Sequence, residues 1–347
     1  MSSRYETSDL AMASAANSTD IDDPATFTHR FADVNGIRLH YVEEGEGPLV
    51  IMVHGFPFLW YLWRHQIRSV AAAGYRVVAL DTRGYGQSGR PDAVSEYDMT
   101  RLVGDIVGLM KALDERSAVL VGQDWGSPII FHAALMRPDL FRGLVMLCAP
   151  PTARPPISPA AAWDRVYGDI NFYQKYFMTS EAESEITKDL RAFLLGVFYS
   201  TSARCPTDEQ WRWAWRRSEQ FSDTLTIPEE LPDFLSRQAL DYYTENFERT
   251  GIAPALNYYR AIQRNWEITS YLDDAVVSCP AVFAYGENDP SIRPIFGIDR
   301  QGPALRALDE IIPKLQNVIQ MPGVGHTPPE EQPADTTRII LNFLSTL

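Results

Sequence analysis

Residues 119–126 read Val-Leu-Val-Gly-Gln-Asp-Trp-Gly, a short apolar run that breaks into Gly-x-Asp-x-Gly and leads into an apolar helical pattern. Few backbones accommodate that order. A strand that turns sharply into a helix brings the two segments close together, and small residues two before and two after the turn residue leave room for the approach. Gly122 and Gly126 fill both places. Such a turn lifts the Asp124 side chain clear of the sheet and aims the unpaired N–H groups of the next helix at it. Most chains with this pattern carry Ser at the centre. A carboxylate there needs no base to be nucleophilic and attacks saturated carbon to leave an ester, so the chemistry moves from acyl to alkyl transfer. Asp is also an ordinary N-cap, and the motif alone leaves both readings open.

The surrounding pattern predicts a largely parallel sheet. Strand signals fall at about 28–34, 38–43, 48–53, 76–80, 118–122, 143–148, 280–285 and 317–321, and from the third onward they are continuous apolar runs, as expected for strands covered on both faces. Helical patterns lie between several of them, near 61–73, 99–113 and 126–137. This alternation implies a parallel α/β sheet with its ligands at the carboxyl ends of the strands. Five prolines between 150 and 160 interrupt it, and residues 161–272 are then rich in Trp, Tyr and Phe with no convincing strand. The expected organisation is a flexible tail over 1–24, a core over 25–149 and 273–347, and an inserted helical cap over 150–272.

Composition removes several function classes. The chain has 347 residues, 45% hydrophobic and 22% charged, as in an ordinary soluble protein. Its formal net charge of −14 repels nucleic acid and anionic lipid. No run has the uninterrupted apolar length of a membrane span, and the first residues lack the basic and apolar regions of a secretory signal. Cys148, Cys205 and Cys279 are odd in number, without metal-type spacing. They point to a reducing, cytoplasmic compartment.

An ester on Asp124 needs a base to activate water and an acid to orient that base. Of the six histidines, His326 stands alone in Pro-Gly-Val-Gly-His-Thr-Pro-Pro, directly after the last strand. His29 and His40 fall in hairpin-like strands and His132 in a helix, where core or surface roles are expected. After the strand at 281–285 the chain offers Asp289 and Glu287 in Tyr-Gly-Glu-Asn-Asp-Pro, whereas the loop after Cys148 has no acid. Asp289 is therefore the expected orienting group, with turn formation before Pro290 as its other reading. In His54-Gly55-Phe56-Pro57 the glycine lets the backbone bend, and Phe56 N–H with Trp125 N–H would form an oxyanion hole. His54 itself is expected to be structural.

His-Gly-Phe-Pro at 54–57, Trp-Arg-His-Gln at 63–66, Asp-Thr-Arg-Gly-Tyr-Gly-Gln-Ser at 81–88, Gly-Gln-Asp-Trp-Gly at 122–126 and Gly-His at 325–326 together resemble the soluble epoxide hydrolases of the α/β-hydrolase fold. The resemblance covers roughly 28–347. It implies an α/β-hydrolase fold, a mostly parallel eight-stranded sheet with an inserted helical cap, and hydrolysis of an epoxide to a vicinal diol without metal or cofactor. In that family two cap tyrosines bind and protonate the epoxide oxygen. Phe-Tyr-Gln-Lys-Tyr-Phe at 172–177 and Leu-Asn-Tyr-Tyr-Arg at 256–260 match the two segments and place those roles on Tyr173 and Tyr259. Tyr258 adjoins Tyr259, and on a helix only one of them faces the site. Phe56, Trp125, Tyr173, Phe177 and Tyr259 are the residues expected against a small apolar substrate, in a monomer or homodimer. The chain departs from the family at Gln123, where His is usual, at Phe58-Leu59 in place of Glu-Ser, and at Thr327, where Trp is common.

Two other readings share the fold. A haloalkane dehalogenase uses the same nucleophile, with Trp125 and a second donor such as Trp163 holding the halide. Phe56 stands where many of those enzymes carry Asn. A non-catalytic ligand-binding protein needs only the pocket, and retention of Asp124, His326 and Asp289 together argues against it.

Overall fold

The computed structural model describes residues 20–299 and 301–347 of the protein. Its strands are β1 (His29–Val34), β2 (Ile37–Glu44), β3 (Leu49–Val53), β4 (Arg76–Leu80), β5 (Ala118–Gln123), β6 (Phe141–Leu147), β7 (Ile170–Phe172), β8 (Ala214–Arg216), β9 (Ala281–Gly286) and β10 (Leu315–Met321). Eight of them form one sheet in the order β1-β2-β4-β3-β5-β6-β9-β10. All eight fall where the apolar runs predict them. β1–β2 and β2–β4 are antiparallel, and every other pairing is parallel.

Local chemistry explains the pairing. Asn35 and Gly36 turn β1 into β2 with φ of 49° and 80°, the backbone that an Asn-Gly hairpin turn supplies. Every residue of β3 and β5 is buried. Their apolar runs are covered on both faces, as by the helix Gly126–Met136 that packs on β5 and β6. Helix Met99–Ala112 is capped by Asp98, whose side chain accepts from Arg101 N–H, satisfying one of the orphan donors of its first turn.

After β6 the chain leaves the sheet and re-enters it at β9. The intervening segment contains the helices Leu190–Ser200, Arg237–Thr250, Ala253–Arg260 and Ile262–Ile268. It also contains a small antiparallel pair, β7 with β8, in register Ile170↔Arg216 to Phe172↔Ala214. That corrects the expectation of a segment without strands, since three-residue strands carry no readable period. Hydrogen bonds tie this segment to the core: Tyr258 Oη donates to Arg83 O at 2.8 Å, and Trp60 Nε1 donates to Tyr242 Oη at 2.9 Å.

The expected tail over 1–24 needs a shorter boundary. Residues 1–19 lie outside the described residues, but Asp22 is docked on the core. Tyr61 Oη donates to Asp22 O at 2.6 Å and Arg64 Nε to its Oδ1 at 2.8 Å. Arg64 is almost fully buried, so this acid supplies charge compensation to a residue that needs it. Among the described residues no helix is long and apolar enough to cross a membrane. Cys148, Cys205 and Cys279 are free and buried.

Candidate active site

The carboxyl ends of β3, β5, β9 and β10 converge on one place. Asp124 follows β5 and has φ 52°, a left-handed conformation that costs a non-glycine residue about 1 kcal/mol. Neighbours hold it there: Asp124 N–H donates to Leu147 O at 3.2 Å, and Ser127 N–H donates to Asp124 O at 2.9 Å. The flanking glycines are needed sterically. A Cβ on Gly122 would meet Ser127 N at 2.9 Å, and one on Gly126 would meet His54 O at 3.1 Å, each with closer backbone contacts besides. The elbow inferred from the sequence is therefore the observed turn.

Phe56, after β3, donates its N–H to Asp124 Oδ1 at 2.8 Å. Gly55 permits this approach. A Cβ there would fall 2.6 Å from Trp125 N and closer still to Asp124 Oδ1, so only a glycine fits against the carboxylate and the Trp125 backbone. His54 is structural, as expected: Nδ1 donates to Gly55 O at 2.9 Å and Nε2 accepts from Thr82 N–H at 3.1 Å. Burial, the largest influence, lowers its pKa.

His326 follows β10 and faces the other oxygen of Asp124. Nε2 stands 3.4 Å from Asp124 Oδ2, and Nδ1 bonds Asp289 Oδ2 at 2.8 Å. Asp289 is fully buried, and its Oδ1 accepts from Ser291 N–H at 2.8 Å. Burial works against a proton on His326. The Asp289 charge, the hydrogen bonds to Asp124 and Asp289, and the Asp124 charge outweigh it and push the imidazole from 6.5 up to about 10. Cys148 lies beside this pair, its sulfur and the Asp289 and His326 ligand atoms all within 4.8 Å of one another. Burial, then the Asp289 charge, push its thiol well above the ordinary value. A neutral thiol is a poor metal ligand, and Asp289 is already engaged by His326 and Ser291 N–H.

Two residues that hold the histidine were not singled out for that role from the sequence. Glu331 accepts from Gly325 N–H at 2.9 Å, Thr327 N–H at 3.0 Å and Ala203 N–H at 2.9 Å, clamping both neighbours of His326. It lies in Pro-Pro-Glu-Glu, in the short helix Pro328–Glu331 that follows His326. Gln123, noted only as a departure, donates from Nε2 to His326 O at 2.8 Å, so the elbow and the histidine loop are bonded directly. Phe58 and Leu59, the second departure, are buried core residues, and Phe58 packs edge-on against Phe198 at 5.4 Å. Thr327, the third, is fully buried.

Above the carboxylate lies a cavity of about 570 Å³ lined by Asp124, His326, Phe56, Trp125, Tyr173, Phe177 and Tyr259 among others. Asp289 sits behind His326, off the wall. The rings of Tyr173 and Tyr259 are 6.0 Å apart, and Tyr259 packs edge-on against Phe56 and Trp125, each at 5.3 Å. Burial, then the Asp124 charge, push the Tyr259 phenol well above its ordinary value, which keeps its proton in place. Tyr258 turns away to Arg83, so the helix presents one of its two adjacent tyrosines. His132, expected in the core or at the surface, is half-buried on the cavity wall, as is Trp163. The position of His132 mid-helix carried no signal for that.

This geometry, a carboxylate on an α/β elbow under a buried acid–base pair, defines a hydrolase of the alkyl-ester type. The α/β hydrolase fold family matches residues 48–333. Epoxide hydrolase A of Mycobacterium tuberculosis is 36% identical, over 92% of this chain and 98% of its own; epoxide hydrolase B of the same organism is 32% identical over the same shares. An epoxide hydrolase from an endophytic Streptomyces superimposes with TM-score 0.86 at 37% identity, covering 92% of this chain and 95% of that one. Epoxide hydrolase A from Mycobacterium thermoresistibile gives 0.84 at 35%, covering 92% and 98%. The chain belongs to the epoxide hydrolase family of the α/β-hydrolase fold.

Proposed function

We propose that this chain hydrolyses an epoxide to a vicinal diol through an ester on Asp124. The observation that carries the reading is the division of labour between the two oxygens of Asp124. Oδ1 is held by Phe56 N–H, and Oδ2 is on the His326 side. Oδ2 attacks an epoxide carbon and the ring C–O bond breaks. The departing oxygen takes a proton from Tyr173 or Tyr259, whose paired phenols stabilise the developing charge.

Ester formation abolishes the Asp124 charge and its bond to His326, two of the influences that hold the proton on that imidazole. The imidazolium then releases its proton to solvent, and the base is free at the step that needs it. His326 takes a proton from water, and the hydroxide adds to the ester carbon. The oxyanion forms on Oδ1 between the Phe56 and Trp125 N–H groups. Collapse breaks the bond from the ester carbon to Oδ2, His326 returns its proton to the leaving alkoxide, and the acid proton left on Asp124 goes back to the tyrosinate. Asp289 orients His326 throughout. The two cap phenols favour this reading over halide displacement, which needs no acid.

The aromatic lining of a 570 Å³ cavity supports a small, mainly apolar epoxide. Three free cysteines support a cytoplasmic location, and the chain's departure from the sheet after Leu147 and return at Ala281 support a cap over 150–272. Monomer and homodimer are both compatible with it. A single turnover in heavy-oxygen water tests the scheme: the label enters Asp124 and not the diol. With His326→Gln the ester accumulates, adding the mass of one substrate to the Asp124 peptide. Label appearing directly in the diol would exclude the ester.

A further inference from the structure

Tyr173 and Tyr259 reach one cavity from two separate helices, and their surroundings differ. The Tyr173 ring is fixed in place: its backbone N–H donates to Trp213 O at 3.1 Å, and the ring packs edge-on against Trp211 at 4.9 Å and Phe177 at 5.7 Å. The side-chain amide of the next residue, Gln174, donates from Nε2 to Tyr173 Oη at 3.0 Å, and Gln174 also lines the cavity. Tyr259 has no amide neighbour of this kind among the influences on it. Burial, the Asp124 charge, Tyr173 and Tyr85 push its phenol up, and the Trp125 indole pulls the other way. An N–H on a phenol oxygen contributes little while the proton is present and more once it has gone, because a hydrogen bond to an ionised partner is about twice as strong as a neutral one. The Gln174–Tyr173 bond therefore tightens as the phenol gives up its proton, and an interaction that strengthens toward the transition state accelerates the step.

Resting on the epoxide reading above, we propose that Gln174 is a positioning residue for ring opening: its amide N–H holds the Tyr173 oxygen and stabilises the tyrosinate left when that phenol protonates the departing oxygen. The step balances. The ring C–O bond breaks, its oxygen takes the Tyr173 proton, and the negative charge passes to the Tyr173 oxygen, where the amide N–H already sits. An amide suits the place because it donates without carrying a charge. A cationic donor there would instead compete with the epoxide carbon for the Asp124 carboxylate.

Rapid-quench single turnovers at pH 8, read as ester formed on Asp124, test the assignment with Gln174→Met and Gln174→Glu. Met fills similar space without a donor, and an ionised Glu turns acceptor oxygens toward the phenol. With 1,2-epoxypropane, Gln174→Met slows ester formation about tenfold, the loss of one bond to a developing charge, and Gln174→Glu slows it further. With 3,3,3-trifluoro-1,2-epoxypropane the slowing shrinks, because its less basic alkoxide depends less on the acid. Added to Tyr173→Phe, the Met substitution has no further effect, whereas added to Tyr259→Phe it keeps its full effect. A Gln174→Glu protein faster than Gln174→Met would mean that the amide oxygen faces Tyr173, and overturns the proposal. So does a slowing that is equal for the two epoxides, or one that persists undiminished in Tyr173→Phe, since either marks a change of cavity shape alone. If the wild type leaves no ester on Asp124 with either compound, the epoxide reading itself has failed and this inference falls with it.

Discussion

His326 Nε2 stands 3.4 Å from Asp124 Oδ2 while its Nδ1 bonds Asp289 at 2.8 Å, so one imidazole is held between two carboxylates. Burial opposes its charge, and the two acids overcome that opposition, raising the group from 6.5 to about 10. A histidine whose folded value exceeds its unfolded value stabilises the fold while protonated. That contribution is complete below pH 6.5 and is lost as pH rises through about 10. Asp124→Asn removes the Asp124 charge that favours the protonated ring, so the same loss is smaller and finishes at lower pH. Melting midpoints measured across that window for both proteins show the difference. Superimposable profiles would mean that Asp124 does not hold the proton.

Tyr258 and Tyr259 separate structure from chemistry on adjacent residues. The Tyr258 hydroxyl donates to Arg83 O at 2.8 Å and joins the cap to the core, whereas Tyr259 lines the cavity beside Asp124. Tyr258→Phe costs about 1 kcal/mol of stability, the net worth of one buried hydrogen bond, with the rate of ester formation preserved. Tyr259→Phe and Tyr173→Phe each slow ester formation by about a hundredfold, the loss of one general acid. Rapid-quench single-turnover kinetics resolve the step. An equal slowing in Tyr258→Phe would remove the distinction.

The elbow and the positions of the strands were legible because they are dictated by neighbours in sequence. Gly122, Asp124 and Gly126 encode a local steric requirement, and continuous apolar runs encode strands buried on both faces. That His326 and Asp289 lie together was legible through their places at strand ends. Glu331 and Gln123 were not, because each works through a bond to backbone in a distant segment, and such acceptors and donors leave no spacing in the sequence. Asp22 was taken for tail because its partner, Arg64, lies 42 positions away. β7 and β8 were hidden by their length, and His132 by the helix that carries it to the wall.

Gly55 is required by the site rather than by the turn that contains it. Its conformation is not of the left-handed kind reserved for glycine, yet a Cβ would press on Asp124 Oδ1 and Cβ and on Trp125 N. Gly55→Ala therefore displaces the carboxylate from Phe56 N–H while the strand before it stays in register. Turnover falls by at least about a hundredfold, the cost of losing one oxyanion donor. Melting shows a destabilisation of about 1–3 kcal/mol, as for overpacking. A variant that melts like the wild type and turns over at the same rate would show that the donor geometry is not what positions Asp124.

Glu331 is the residue on which the histidine loop depends. Its two oxygens take three backbone N–H groups, from Gly325, Thr327 and Ala203, one on each side of His326 and one from the cap. Burial pushes the carboxyl up and those three bonds pull it down. Glu331→Ala leaves three buried donors unsatisfied, and with about 1–3 kcal/mol for each such group the loss of stability exceeds that of either tyrosine variant. Glu331→Gln keeps one acceptor oxygen but turns an amide N–H toward a remaining donor, so it falls between wild type and Ala. Denaturant unfolding ranks the three proteins. Because the clamp holds His326 through its neighbours, both variants slow ester hydrolysis more than ester formation, read as a larger steady-state ester on Asp124. Equal slowing of the two steps would mean that Glu331 supports the fold without positioning the base.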